Sequence, residues 1–349
     1  MFNQFKAEVF QNQFLPEGAK EVHAIMTVST EPGSGIEKPI ASGNSRLFGI
    51  ICDTSGSMGG GKIQAAKEAI IKIINLLPEN SHFFIVTGAS KAKVVVPVSP
   101  ANQKQKELAI SSVKAGVANG GTLMSTWLIE ALEQFQKMPN AIRQALLLTD
   151  GQNDISDQFK LEQILEQCEG VFQCDCRGVG TDWRVNQLKK IANKLLGTTD
   201  IIPNPTMIES DFRGILEKAM SKEISDVSMR LWRPQGATVL FCKQVSPEIV
   251  DLTHHAKTIK PQILDYPTGS WGSNESRDYH FCIQVNPGNV GDEMLAGRAS
   301  LIYTIDGLET KITEAKILAL WTDDDAKSTK IDRRVAHYTG QAELAESIQ

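Results

Sequence analysis

What this chain of 349 residues lacks excludes several classes of protein. It has no Lys/Arg-rich run, and its formal net charge is −5 with a pI near 5.8, so it offers no basic field to a phosphate backbone and nucleic acid is not expected as a partner. No stretch reaches the apolar length needed to span a bilayer, and no membrane partner is expected. The opening MFNQFKAEVFQNQFLPEGAKEV has neither a cationic start before an unbroken apolar run nor a small-residue cleavage site, so it does not read as a secretory signal. The six cysteines are scattered, and Cys52, Cys242 and Cys282 sit inside strand-like runs. That suits reduced core thiols in a cytoplasmic protein better than a disulfide framework.

What is present is a globular composition, 41% hydrophobic and 22% charged, at the length of two domains. Residues 1–44 read as an N-terminal arm, a strand near Val22 to Val28 and a turn-rich linker. From 45 to 205 apolar runs alternate with helical patterns: RLFGIICD is of buried-strand type, and KIQAAKEAIIKIINLL places Ile63, Ala66, Ile70, Ile73, Ile74 and Leu77 on one helical face. Such alternation predicts an α/β fold, a doubly wound, mostly parallel sheet, because parallel neighbours need crossover connections. The close pair at 82 to 97 reads as a hairpin that adds one antiparallel edge strand. Residues 206–223 read as a connecting helix, 224–322 as a β-sandwich domain that the strand near Val22 joins, and 323–349 as a helical tail that stops without a cap or breaker, as in a truncated chain.

The segment DTSGSMGGGK, Asp53 to Lys62, carries the chemistry and admits two readings. Gly56, Gly61 and Lys62 stand at phosphate-loop spacing, but that loop needs a Ser or Thr after the Lys to hold magnesium, and Ile63 stands there. In the other reading Asp53, Ser55 and Ser57 alternate at the carboxyl end of a strand, so one carboxylate and two hydroxyls converge while Gly56 allows the tight turn. Thr122, ending GGT, and Asp150, ending LLLTD, fall on the same rim of an open parallel sheet, where ligands bind. Singly, Asp53 serves as a helix N-terminal anion and Thr122 as an N-cap. Together the residues make an all-oxygen set that suits a hard cation, Mg2+ with Mn2+ or Ca2+ as substitutes. Two aspartates leave such an ion electrophilic, so an Asp or Glu carboxylate of a partner protein can complete its coordination.

On these motifs residues 45 to 205 resemble the von Willebrand factor A (VWA) domain, whose sheet is of the Rossmann-like type. D-x-S-x-S, Thr and T-D-G are similar to that family's metal-ion-dependent adhesion site (MIDAS). The resemblance implies that Asp53, Ser55, Ser57, Thr122 and Asp150 are metal ligands, some direct and some through water. The layout looks like that of bacterial cytoplasmic members, which implies a scaffold or adaptor beside an AAA-type ATPase, a kinase or a phosphopeptide-binding protein.

Around the ion, Met58, Met124, Asn153, Asp154, Asp182 and Trp183 are expected to form the partner-binding rim, with Lys62 as a charge steering an acidic partner. Trp183 alternatively packs under the next helix. Cys174 and Cys176 have no second Cys or His pair at zinc spacing, and His254 and His255 have no nucleophile to activate. The function expected is a Mg-dependent protein-binding module without turnover. The alternatives are a magnesium-dependent phosphohydrolase or nucleotide-binding enzyme using Gly56 to Lys62, which lacks a base and a phosphate-gripping Arg, and a structural subunit with a vestigial site.

Overall fold

Three strands open the chain: β1 (Phe5–Gln11), β2 (Phe14–Pro16) and β3 (Glu21–Thr30). The computed structural model describes residues 5–30, 45–179, 185–305 and 308–339, so the linker read at 31–44 lies outside the described residues. Backbone contacts divide the chain into two units, Ala41–Glu223 and a second made of Met1–Ile40 with Ile224–Gln349.

The first unit runs β4 (Arg46–Asp53), α1 (Gly61–Leu76), β5 (Ser81–Gly88), β6 (Ala92–Pro100), α2 (Gln103–Ala115), α3 (Met124–Gln136), β7 (Ile142–Thr149), α4 (Gln158–Cys168), β8 (Gln173–Val179), α5 (Val185–Lys194), β9 (Thr199–Ile202) and α6 (Ile208–Met220). The sheet order is β6-β5-β4-β7-β8-β9, and every pairing is parallel except that of β6 with β5 at the edge. β4 therefore has β5 on one side and β7 on the other, so the winding reverses between β4 and β7. The crevice above their carboxyl ends is the place where such sheets bind ligands.

Both faces of this sheet are covered. Ile50, Phe83, Ile85 and Leu146 pack against Ala66, Ile70, Ile73 and Ile74 of α1 and against Ile208, Phe212 and Leu216 of α6. On the other face Ile51, Phe84, Val86 and Leu147 meet Trp127, Leu128, Ala131 and Phe135 of α3 and Leu161 and Leu165 of α4. Each fully buried Ile, Leu or Phe contributes about 1.5–3 kcal/mol, so the strand-end loops rest on a rigid floor. The segment 206–223 is more than a connector, because the apolar face of α6 completes one of these layers.

The second unit adds β10 (Lys222–Trp232), β11 (Thr238–Ser246), β12 (Val250–Asp251), β13 (Lys257–Lys260), β14 (Ile263–Gly272), β15 (Ser276–Gln284), β16 (Glu293–Ile305) and β17 (Leu308–Thr322). One sheet is antiparallel throughout in the order β1-β3-β15-β11-β12, and the other has the order β13-β14-β10-β16-β17-β2, with β2 parallel to β17. Phe5 of β1 places its ring 5.3 Å from Trp271 of β14 and 6.2 Å from Tyr303 of β16, so side chains of the two sheets meet. Of the helical tail read at 323–349, the described residues hold a short helix, Asp325–Ser328, and a helical stretch at 333–339 whose Val335 is buried; residues 340–349 lie outside the described residues.

Candidate metal centre

The chain leaves β4 at Asp53, turns through a 3-10 turn, Gly56–Met58, and enters α1. Met58 N donates to Ser55 O and Gly59 N to Gly56 O, both at 3.1 Å, and Gly56 N donates to Gly120 O at 2.9 Å. Asn119 N also donates to Thr54 O at 2.8 Å. These bonds stitch the loop before α3 to the loop after β4, which is how Thr122 reaches the motif. They also commit the Gly56, Met58 and Gly59 amides to backbone carbonyls, whereas a phosphate loop holds its amides open. The glycine that the turn requires is Gly60, at φ +73 in the left-handed region, and not Gly56 as expected.

The side chains form one connected oxygen network. Asp53 accepts from Ser55 N at 2.7 Å and from Thr149 Oγ1 at 2.5 Å. Ser55 Oγ lies 3.0 Å from Ser57 Oγ, and Ser57 Oγ donates to Asp150 Oδ1 at 2.8 Å. Lys62 Nζ donates to the other Asp150 oxygen at 2.5 Å. Burial raises the Asp53 carboxyl above its ordinary range, hydrogen bonds from Thr149 and Ser55 pull it back in part, and the charge of Asp150 raises it further. Two buried carboxylates held close together favour a bound cation.

Gly151 shows whether the residues fit an ion. A Cβ built on it would lie 3.4 Å from Thr122 Oγ1, 3.5 Å from Ser57 Oγ and 3.7 Å from Asp53 Oδ2. Oxygens from the segment after β4 and from the loop before α3 thus surround one small space beside Gly151 that the missing side chain leaves clear. The donor set is all oxygen, with two carboxylates and three hydroxyls, and fits a hard divalent cation.

The rim departs from expectation at several positions. Met58 and Met124 are fully buried, one in each apolar layer, because the 3-10 turn before α1 and the first turn of α3 press their apolar side chains onto the sheet. Neither reaches a partner. Asn153 is buried too: its Oδ1 accepts from Met124 N at 2.8 Å, which caps α3, while its Nδ2 has no hydrogen-bond partner among the described residues. Lys62 is ion-paired to Asp150 rather than a free steering charge. Asp154 is exposed and accepts from Ser156 N and Oγ, which hold its carboxyl below the usual range. Asp182 and Trp183 lie outside the described residues. His255 is buried rather than solvated, and Cys174 and Cys176 are core residues.

Several functional positions escaped the sequence reading. Thr149 orients Asp53; its place beside Asp150 was the available signal. Asp157 is buried and accepts from Ser125 N at 2.9 Å and from Ser125 Oγ, so it fixes the start of α3 just after Thr122. Ile155 and Phe159 are apolar yet 81% and 69% exposed, and Ile155 follows Asp154, whose N donates to Thr122 O.

A doubly wound sheet with an oxygen-lined crevice at the reversal of its winding defines a protein of the VWA class. The chain belongs to the von Willebrand factor A family: the family model described as "von Willebrand factor type A domain" matches residues 49–201. A solved von Willebrand factor type A structure from Catenulispora acidiphila is 42% identical with a TM-score of 0.93, over 99% of this chain and 80% of that one. The Synechocystis protein sll0103 is 26% identical over 216 residues, covering 58% of this chain and 49% of its own length. The mouse von Willebrand factor A domain-containing protein 5A is 28% identical over 212 residues, covering 58% of this chain and 26% of its own. The chain thus spans about half the length of the first of these two relatives and about a quarter of the second. Among the described residues no helix is long and apolar enough to cross a membrane.

Proposed function

We propose that this chain is a cation-dependent protein-binding module of the MIDAS type, in which Asp53, Ser55, Ser57, Thr122 and Asp150 hold Mg2+ and an Asp or Glu of a partner protein supplies the last ligand. The observation that carries this reading is the convergence of Asp53, Ser57 and Thr122 oxygens around the clearance at Gly151. When bound, the ion supplies an electrophilic point that a carboxylate can reach. The chain's own residues do the remaining work: Thr149 and Ser55 N orient Asp53, Asp157 and Asn153 fix α3 behind Thr122, and exposed Ile155, next to the Asp154 amide that bonds Thr122 O, offers apolar surface beside the crevice.

Turnover forms no part of this reading. The amides of Gly56, Met58 and Gly59 are spent on carbonyls and Lys62 is engaged by Asp150, which speaks against phosphate binding by this loop. We place the module among bacterial cytoplasmic scaffolds, with an AAA-type ATPase, a kinase or a phosphopeptide-binding protein as partner class. The test is capture of partners from the host in Mg2+ or in chelator, with wild type and Asp53→Ala. A partner retained equally in all four conditions sinks the proposal, and phosphate release from a nucleotide panel that is lost in Asp150→Ala would replace it with the enzymatic one.

A further inference from the structure

The second unit carries a different constellation, remote in sequence from the crevice residues. β3 and β15 pair antiparallel with His23 opposite Cys282 and Glu21 opposite Gln284, so Glu21, His23, His280 and Cys282 share one face of the five-stranded sheet. His23 Nε2 lies 3.7 Å from Cys282 Sγ and 3.8 Å from Glu21 Oε2, and the three ligand atoms are all within 4.8 Å of one another. Around a tetrahedral zinc ion, sulfur, nitrogen and oxygen ligands stand about 3.5 Å apart, so small side-chain adjustments close this triangle on a metal.

We propose that Glu21, His23 and Cys282 form a site for a borderline-soft divalent cation of the Zn2+ class, with His280 as a positioning residue. The chemistry separates this site from the crevice: thiolate and imidazole select a softer ion than the all-oxygen set around Asp53. His23 ligates through Nε2, and its Nδ1, 3.1 Å from His280 Nε2, donates its proton there. His280 is placed to accept it, since the two rings lie on neighbouring strands with their centroids 5.3 Å apart. Its ring is held edge-on against Phe241 at 4.9 Å and 89°. Cys282 would bind as its thiolate, with the thiol proton released to solvent on metal binding. Glu21 is exposed, so the ion has an entry path, and three protein ligands leave a fourth position for water. The ion bridges two strands that lie 259 residues apart along the chain, before and after the α/β unit, and thereby fastens the two segments of the second unit together.

The experiment uses the full chain with Co2+ as a spectroscopic probe, in excess Mg2+ to occupy the oxygen site. One equivalent of Co2+ should raise a near-ultraviolet thiolate-to-metal charge-transfer band, which an oxygen site cannot produce, and Zn2+ should displace it. Cys282→Ser should abolish the band, and His23→Gln should weaken binding at least a hundredfold. His280→Gln should weaken it roughly ten- to a hundredfold while the band shape is kept, the signature of an orienting role. If Cys282→Ser fails to fold, His23→Gln and Glu21→Gln, both reachable by solvent, decide the matter in its place. Absence of the band, its survival in Cys282→Ser, or unchanged affinity in His23→Gln overturns the proposal.

Discussion

Lys62 Nζ sits 2.5 Å from Asp150 Oδ2, on a carboxylate side chain with no exposure to solvent. A lysine read as a rim charge for partners is instead the charge partner of a residue in the candidate metal centre. The pair sets one positive charge beside two buried carboxylates, Asp53 and Asp150.

That pairing has two consequences of opposite sign. Lys62→Met leaves Asp150 without its cation, so thermal unfolding in chelator should show a loss of about 1–3 kcal/mol. The same change removes a positive charge beside the bound ion, so calorimetry should find Mg2+ bound roughly tenfold tighter. Weaker Mg2+ binding in the variant would make Lys62 a support of the site rather than a competitor.

Gly151→Ala should separate metal binding from folding. The position does not use a left-handed backbone, and the new methyl meets its neighbours at 3.4–3.7 Å, an ordinary contact, so the fold should survive within about 1 kcal/mol. The methyl occupies the space around which Thr122, Ser57 and Asp53 converge, and Mg2+ affinity should fall at least tenfold. Wild-type affinity in this variant would move the ion elsewhere.

Asp157→Ala tests the support behind Thr122. It strips Ser125 N and Ser125 Oγ of their buried acceptor at the start of α3, and denaturant unfolding should show a loss of about 2–3 kcal/mol. Asp154→Ala, one turn away and exposed, should shift the unfolding midpoint far less than Asp157→Ala does.

The second unit should carry its own acid sensitivity. His280 titrates near 4 when folded against an ordinary 6.5, because burial, then His23 and Lys243, oppose its charged form. Between those values the unfolded chain binds a proton that the folded chain refuses. Stability is therefore full above pH 6.5 and falls as pH drops toward 4, by about 2–3 kcal/mol in all. His23, also lowered by burial, acts in the same direction. Unfolding free energies measured across this window should flatten in His280→Phe; an unchanged slope would assign the acid limb to other groups.

Legibility in the sequence followed the range of the interaction. Asp53, Ser55 and Ser57 could be read because their convergence needs only a strand end and a turn. Thr122 and Asp150 could be read because a doubly wound sheet collects its loops on one rim. Met58 and Met124 could not, since a methionine beside a polar motif gives no sign of which way its helix turns, and both point inward. β1 lies within what reads as an N-terminal arm, since FKAEVFQ is largely half-exposed and alternates weakly. Whether Trp183 faces the crevice belongs to residues outside those described.

By itself the sequence determined the α/β class, the antiparallel edge pair and the family, because periodicity and strand-end spacing are local properties of the chain. Only the tertiary structure decided that Lys62 pairs with Asp150, that Thr149 orients Asp53, and that His23 and Cys282 stand side by side. Contacts between residues tens to hundreds of positions apart leave no spacing to read. They exist because strand register and packing bring those side chains onto one face.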